Sequence, residues 1–557
     1  LVELLDGLPL ALELAASRVR VMKPAKMLRR LERRFDLLRS SRRDLDPRQA
    51  TLRATIDWSW DLLDAKGKLA LAQLSVFEGG FSLDAAEQIL DLSCITPQPF
   101  VIDVLESLAR RSLIQRVPEV SHEVRFSMLV SLRAYASEKL DTVHAGIEEP
   151  SRAWAFDLQE RVVRTHGEVY ARLGRRAELE RLHRMGGRPR WRALKREREN
   201  LRVARQRALA REDYETAISC ALASGVLVEF LGPFYLADEL FEGLLERRPG
   251  LEALTGRALL SHGILSWMGG ENQLARTHQQ AAVEIAEALG DWRLEAEATY
   301  SLGVLTGELG ETQEALGLLE RACELATAHG LERVLARALM NRGILLQHRG
   351  DLESSAKLYE RARQIAENIS DQGTEGVVYS NIGVLAFARG RLEESRHALE
   401  RSVELSRAAN ARRVEAAVLG NLAFLALQQE RYEDAERGLE RALTLARELG
   451  NKRTEGIVLG NLADLHRRLE RFEDARQGLE DARVIAEHLE DQRWLAYWEF
   501  QIGEVLICQE RYEDAVAILD GAIARFVDVQ ERERIARARC ARGRALVHLG
   551  DLGSARA

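Results

Sequence analysis

Through the second half of the chain, apolar positions follow two helical registers in every forty residues, and the unit recurs with almost no drift. Ser301-Leu302-Gly303, Asn341-Arg342-Gly343, Asn381-Ile382-Gly383, Asn421-Leu422-Ala423, Asn461-Leu462-Ala463 and Gln501-Ile502-Gly503 stand forty residues apart. In the unit around Asn421 the spacing predicts one helix from Arg413 to Gln429 and a second from Tyr432 to Glu448. The break between them carries Glu430-Arg431, and in other copies Gly310, Gly350 or Gly390; Gly290-Asp291 and Gly450-Asn451 separate whole units. Glycine at such points suits a helix end that needs a left-handed residue. Self-similarity at this period predicts a solenoid of stacked helix pairs, an architecture that binds along an extended concave wall.

Two columns of small residues support a close helix pair. One is Ala275, Ala315, Ser355, Ser395, Ala435, Ala475 and Ala515; the other is Gly303, Gly343, Gly383, Ala423, Ala463 and Gly503. Large side chains alternate with them at Leu319, Tyr359, Leu399, Leu439, Leu479 and Leu519. A small-large interlock follows, and no pair buries both of its faces alone. With the aromatics Tyr432, Phe472 and Tyr512 and the alanines Ala435 and Ala442, this pattern resembles the tetratricopeptide repeat in its forty-residue form. The resemblance runs from about residue 261 to 557, in seven copies and the start of an eighth. It implies an all-α fold, a right-handed α-solenoid whose first helix in each unit, helix A, lines the concave surface. Residues three and four apart share a helix face, so one stripe is Ala417, Asn421, Phe424 and Gln428, and the next is Ile457, Asn461, Asp464 and Arg468. Asn341, Asn381, Asn421 and Asn461 fill one column. An amide both donates and accepts, so the column either grips the backbone of an extended peptide or fixes the stacking of neighbouring helices.

The first third has no repeat. Helical patterns run from Leu5 to about Arg20, Pro24 to Leu38 and Thr51 to Leu63, followed by Ala65–Val76, Ser82–Leu90 and Phe100–Arg111. A hairpin is predicted from Leu113–Val117 and Val124–Met128, then a helix from Leu129 to Leu140. Three helices and a two-stranded wing make a winged helix. Gly7-Leu8-Pro9-Leu10-Ala11, the helix with Trp58 and Trp60, Phe77-Glu78-Gly79-Gly80-Phe81, and Arg125-Phe126-Ser127-Met128-Leu129 with Tyr135-Ala136 resemble the STAND class of regulatory ATPases, of the NB-ARC-like bacterial type with tetratricopeptide sensors. The resemblance implies four segments: 1–50 from the ATPase helical lid, 51–145 winged helix, 146–255 helical linker with degenerate repeats, and 256–557 repeat array. It also implies that Gly7 and Pro9 touch ADP or ATP, held with Mg in a longer parent protein. Met128-Leu129-Val130 stands where many relatives carry Met-His-Asp, so the phosphate contact made by that motif is missing.

Composition changes the picture in few places. The net charge is −7, with 80 Lys and Arg against 87 Asp and Glu, so no global attraction to nucleic acid follows. The stretch Arg175–Arg211 holds 14 Lys and Arg against 4 Asp and Glu and includes Trp191; arginines on helices ordinarily pair with acids elsewhere. The helix Val101–Arg111 is apolar and acidic, poorly suited to a DNA groove. Five scattered cysteines fit a reducing cytoplasm and neither a disulfide framework nor a zinc site. No uninterrupted apolar run approaches the roughly 20 residues needed to span a bilayer. Ser354-Ser355-Ala356-Lys357 matches a hydrolase spacing by chance, inside a repeat helix, and Trp58, Trp60 and Trp498 are expected in packing roles.

No glycine-rich turn with Gly-Lys-Ser/Thr is present, so the chain is expected neither to hydrolyse ATP nor to hold a cofactor by itself. It begins at Leu1 and ends inside a repeat, which reads as an internal fragment. The expectation is a signal-sensing regulatory piece: a protein, peptide or small inducer in the groove, a nucleotide-dependent switch that self-associates in its active state, and no membrane. The alternative is a passive scaffold that holds partner proteins without a switch.

Overall fold

The computed structural model describes residues 52–117, 124–140, 157–182, 187–489, 491–529 and 531–556. Two compact units divide the chain, residues 1–175 with 192–220, and residues 176–191 with 221–557. The predicted helices before residue 51 lie outside the described residues.

The first unit contains α1 (Leu52–Asp61), α2 (Ala65–Leu74), β1 (Phe81–Ser82), α3 (Leu83–Ile89), α4 (Val101–Arg110), β2 (Gln115–Val117), β3 (Arg125–Ser127), α5 (Val130–Leu140), α6 (Leu158–Ala171) and α7 (Arg198–Ala210). Asp64 and Ser82 cap the starts of α2 and α3 by accepting from Gly67 N and Ala85 N. The winged helix is present, but its sheet has three strands, in the order β1-β3-β2, rather than the two expected. The added strand pairs Phe81 with Phe126 and Ser82 with Arg125. Two residues are too few to show a period-two pattern. What seats them is the turn before: Gly79 and Gly80 have φ of 74° and 93°, and a Cβ on Gly80 would stand 2.7 Å from Phe126 O.

Aromatic rings fill the space beneath. Phe77 stacks on Phe81 at 4.6 Å and Phe81 on Phe126 at 5.8 Å; Trp60 meets Tyr135 edge-on at 5.8 Å. Trp60 is buried, whereas Trp58 is 52% exposed, against the packing role expected of it; it falls on the outer face of α1. Asn200 of α7 accepts from Glu78 N at 2.7 Å and donates to Gly80 O at 2.9 Å and to Glu197 Oε2 at 2.8 Å. These bonds use both ends of a fully buried amide, as a buried polar group requires. His166 of α6 is also fully buried, between Phe77 and Tyr170. Burial, then the Arg207 guanidinium, lower its pKa to about 3.

The second unit is built of helix pairs. Repeat 1 is Glu252–Gly269 with Asn272–Leu289, repeat 2 Trp292–Glu308 with Thr312–Ala328, repeat 3 Glu332–His348 with Leu352–Asn368, and repeat 4 Gln372–Ala388 with Leu392–Ala408. Repeat 5 is Arg412–Gln428 with Tyr432–Leu449, repeat 6 Lys452–Arg468 with Phe472–His488, repeat 7 Gln492–Cys508 with Tyr512–Asp528, and an eighth opens with Arg532–His548 and Leu552–Arg556. The chain is therefore an all-α solenoid preceded by a winged helix. The predicted breaks are left-handed as expected: Gly310, Gly350 and Gly390 at φ of 89°, 84° and 74°, and Glu430, Glu470 and Glu510 near the same region at 58°, 60° and 60°. Helix A is capped in several repeats by its own Asp or Asn, Asp291, Asp371, Asn451 and Asp491, and helix B of repeat 3 by Asp351; each accepts from the backbone three residues on.

The small-large interlock takes the predicted form. A Cβ on Gly343 would stand 2.6 Å from the Tyr359 ring, on Gly383 2.7 Å from Leu399 Cγ, and on Gly503 2.6 Å from Leu519 Cγ. Where helix A carries alanine instead, helix B gives way. Ala423 faces Gly438, whose added Cβ would lie 2.8 Å from the Ala423 Cβ, and Ala463 faces Gly478. The copies with glycine on helix A carry Leu318, Leu358, Ala398 and Ile518 at that helix B position. The two columns therefore vary reciprocally within one chain.

One further helix, Tyr214–Leu231, is long and apolar enough to cross a membrane by length and composition alone, with 56% of that window buried inside the protein. Glu215 and Glu229 interrupt it, which is why no uninterrupted apolar run marked it.

Two outcomes follow. Gly438→Ala is expected to cost about 1–3 kcal/mol through overpacking, and Ala423→Gly, itself mildly destabilising, to recover much of that loss in the double variant; additive losses in denaturant melts would remove the reciprocal-packing account. For His166 the folded state favours the neutral ring. Its contribution is whole above the ordinary value of about 6.5 and is lost as pH falls toward 3, so the first unit is expected to lose about 2 kcal/mol between pH 7.5 and 5. Denaturation of wild type and His166→Phe at both pH values checks this, the variant losing correspondingly less.

Candidate ligand-binding channel

Each helix of the second unit packs on the next, and helix A of a repeat also touches helix A of the following one, with no comparable B-to-B approach among the described residues. The A helices therefore occupy the shorter, inner radius of the spiral, as expected. The spiral also meets itself. Asn272 Nδ2 of repeat 1 donates to Leu489 O of repeat 6 at 3.3 Å, and Arg453 of repeat 6 pairs with Glu308 of repeat 2 at 2.6 Å. Glu308 also accepts from Trp267 Nε1 at 3.0 Å. Successive turns of the spiral are thus in contact across the inner wall.

Asn341, Asn381, Asn421 and Asn461 sit at one height on successive A helices, each half-buried. They are not equivalent. Asn341 Nδ2 donates to Arg337 O at 3.0 Å and Tyr300 Oη at 3.2 Å, and Asn381 Nδ2 to Val377 O at 3.1 Å. The Asn421 and Asn461 amides make no hydrogen bond with the protein among the described residues. The first two fix local structure as well as facing the channel; the last two offer their whole hydrogen-bonding capacity. Phe424 packs edge-on against Phe387 at 5.6 Å. Gln428, Asp464 and Arg468 form one network: Arg468 donates to Asp464 Oδ2 at 3.1 Å and to Gln428 Oε1 at 3.2 Å. Repeats 5 and 6 are joined there by a charge-assisted link. Arg453, Ile457, Leu489, Trp494 and Trp498 border a shallow recess of about 10 Å³.

A second column went unread in the sequence. Arg293, Arg333, Arg413, Arg453 and Arg493 recur at the second residue of helix A, with Gly373 in the remaining place. Their forty-residue spacing is as plain as that of the asparagines, but arginine on a helix suggests an exposed ion pair and drew no attention. Arg293 pairs with Glu180 at 3.0 Å, Arg333 with Asp371 at 2.9 Å and Arg493 with Glu531 at 3.0 Å. Burial lowers the pKa of Arg333 despite that carboxylate.

Other sequence candidates resolve simply. Gly7 and Pro9 lie outside the described residues. Val104, Leu105 and Leu108 bury one face of α4 in the winged helix. In the basic stretch, Arg176 pairs with Glu297, Arg181 with Glu178 and Arg202 with Glu199, at 3.1, 2.7 and 3.0 Å. Ser355 is fully buried in the small-residue column, and Lys357 pairs with Glu353 at 2.7 Å on the outside. Among the described residues no group of three or more His, Cys, Asp or Glu stands where it could hold a metal.

Comparison with known proteins agrees with this architecture. Residues 256–453 match the family described as the MalT-like TPR region, residues 63–141 a winged helix-turn-helix domain, and residues 500–557 the tetratricopeptide repeat. A Mycobacterium tuberculosis protein that bears the name of an HTH-type transcriptional regulator is 32% identical over 300 residues, which is 52% of this chain and 32% of that protein. The match thus spans about a third of the length of that relative. Among solved structures, a STAND protein with a tetratricopeptide repeat sensor from Pyrococcus horikoshii aligns over 98% of this chain and 71% of its own, at 15% identity and a TM-score of 0.39. A Rap protein complexed with Competence and Sporulation Factor aligns over 62% and 97%, at 15% identity and a TM-score of 0.42.

Because the Asn421 and Asn461 amides hold nothing in the protein, changing both to Ala is expected to leave the melting curve within about 0.5 kcal/mol of wild type. Asn341→Ala gives up the Tyr300 bond and is expected to cost about 1 kcal/mol. A large loss from the double change would assign those two residues to stacking.

Proposed function

We propose that this chain is the signal-sensing portion of a larger STAND-type regulator, in which a protein, peptide or small inducer enters the spiral and biases a nucleotide-dependent switch outside it. The observation that carries this reading is the order of parts: a winged helix followed by a MalT-like repeat array, in a chain akin to a regulator about three times as long as the matched stretch. On this reading the chain performs no chemistry of its own. The parent holds ADP or ATP with Mg, Gly7 and Pro9 touch the nucleotide, and the assembly works in the cytoplasm. Coupling requires only that the ligand prefer one state of the switch, by about 1–3 kcal/mol.

The test uses the natural full-length protein. A fluorescent ADP analogue is expected to bind it, Pro9→Gly to weaken that binding, and light scattering to show larger assemblies with ATP than with ADP. A full-length protein that binds no nucleotide replaces this reading with the passive scaffold.

A further inference from the structure

Repeat 1 departs from its successors at two neighbouring places between its helices. Where repeats 2, 4 and 7 carry Leu302 with Leu318, Ile382 with Ala398 and Ile502 with Ile518, it carries His262 with His278. In the column of Leu319, Tyr359, Leu399, Leu439, Leu479 and Leu519 it carries Gln279. A Cβ on Gly263 would stand 2.9 Å from Gln279 Cγ, so the close approach is kept. Gln279 is fully buried, however, and neither end of its amide bonds to the protein. Burying an amide this way is costly, so this interlock holds less tightly than the apolar ones.

Beside it, His262 Nδ1 stands 2.8 Å from His278 Nδ1, and His262 Nε2 stands 2.9 Å from Asp238 Oδ1. His262 is buried, His278 half-buried and Asp238 exposed. Two ring nitrogens this close share one proton, one donating and the other accepting. With no proton added, the carboxylate accepts from His262 Nε2, so His262 Nδ1 accepts from His278 Nδ1. One added proton leaves that bond in place, whichever ring carries it. Two added protons set N–H against N–H and cation against cation, and the rings must part. Burial, then His262, lower the pKa of His278 against the pull of Asp238.

The surrounding elements leave this proton count unchanged. Helix A has no other titratable residue from Ala258 to Gly269, and Asp238 has only the exposed Glu239 beside it on its short helix. Arg276 of helix B pairs with Glu311. On helix A of repeat 2, Arg293, Glu295, Glu297 and Glu308 pair with Glu180, Arg321, Arg176 and Arg453. The helix Tyr214–Leu231 approaches Ser261 at Gly225, and its Glu229 acts on Arg333 and Arg337.

We infer that the His262–His278 contact is an acid-labile latch on repeat 1, closed while the two rings hold at most one added proton and released when both are protonated. The closed state binds fewer protons than the open one. Its stabilising effect is therefore whole above the ordinary histidine value of about 6.5 and is lost as pH falls below it. Helix B of repeat 1 begins at Asn272, which donates to Leu489 O of repeat 6, so release also loosens the contact between successive turns. This inference stands apart from the nucleotide switch.

The test takes the whole chain and follows hydrogen exchange by mass spectrometry at pH 7.5 and 5.0, corrected for the intrinsic pH dependence of amide exchange. Repeat 5, residues 412–449, holds no histidine and serves as the reference. Relative to it, protection of residues 252–289 is expected to fall about 30-fold or more at the lower pH. Combined His262→Leu and His278→Leu are expected to abolish the fall. An equal fall in that double variant, or none in wild type, overturns the latch. Gln279→Leu is expected to raise protection at both pH values and to keep the fall; lowered protection would show that the buried amide itself closes repeat 1 and would overturn the inference. Imidazole nitrogen NMR of the wild type needs no variant: two imidazolium rings at these positions are expected only where repeat 1 has lost its protection, and finding both while protection is retained overturns the latch.

Discussion

The second unit depends on how closely helix A and helix B of one repeat can approach. Backbone and side chain meet there with no spare volume, since a single added carbon at Gly343, Gly383 or Gly503 would fall within 3 Å of a large side chain on the facing helix. Protein interiors are packed as densely as organic crystals, so this distance fixes the geometry of the pair. Once the pair is fixed, the surface it offers to its neighbour is fixed too. The reciprocal change at Ala423 with Gly438, and at Ala463 with Gly478, keeps the sum of the two side chains small where the individual residues differ. The constraint acts on the pair rather than on either column.

That packing frees the rest of helix A. Its interlocked and stacked faces carry the hydrophobic stabilisation, with Ala298, Leu305, Val418 and Leu425 almost wholly buried, so its inner face can be polar without loss of the fold. The inner face is accordingly lined with Asn, Arg, Glu and Gln. Most of these groups satisfy one another across repeats, as Arg468 does with Gln428 and Asp464. Low water access strengthens such links and makes an unmatched charge among them expensive. Arg333, matched by Asp371 at 2.9 Å, is such a link.

The solenoid was legible in the sequence because its signals are local and repeated. Gly310, Gly350 and Gly390 marked the left-handed breaks, and Gly343 opposite Tyr359 marked the interlock. Glu430, Glu470 and Glu510 adopt the same left-handed backbone without glycine, and only the period placed them. The strand Phe81–Ser82 was hidden because its two residues make sense only through β3, far along the chain, where Phe81 pairs with Phe126 and Ser82 with Arg125. The arginine column was present as a pattern but not as a meaning. Whether a guanidinium is paired depends on residues such as Glu308 and Arg453, which lie in repeats 2 and 6 and meet only when the spiral turns on itself.

That meeting also bears on how a spiral of this kind can report occupancy. Separating two repeats would expose a continuous apolar interface, whereas parting the successive turns would break the Arg453–Glu308 pair and the Asn272 bond to Leu489 O and draw Gly270 away from the Leu489 side chain, which an added Cβ would meet at 2.5 Å. Partly exposed ion pairs are worth about 0–1 kcal/mol, and a neutral hydrogen bond about 1 kcal/mol. Opening the turn therefore costs less than separating two repeats, and a small rotation at each interlocked step adds up along repeats 2 to 6. A ligand that bridges residues from different repeats of one turn would act on the same coordinate, and its binding free energy need exceed only those few contacts to select one pitch of the spiral over another.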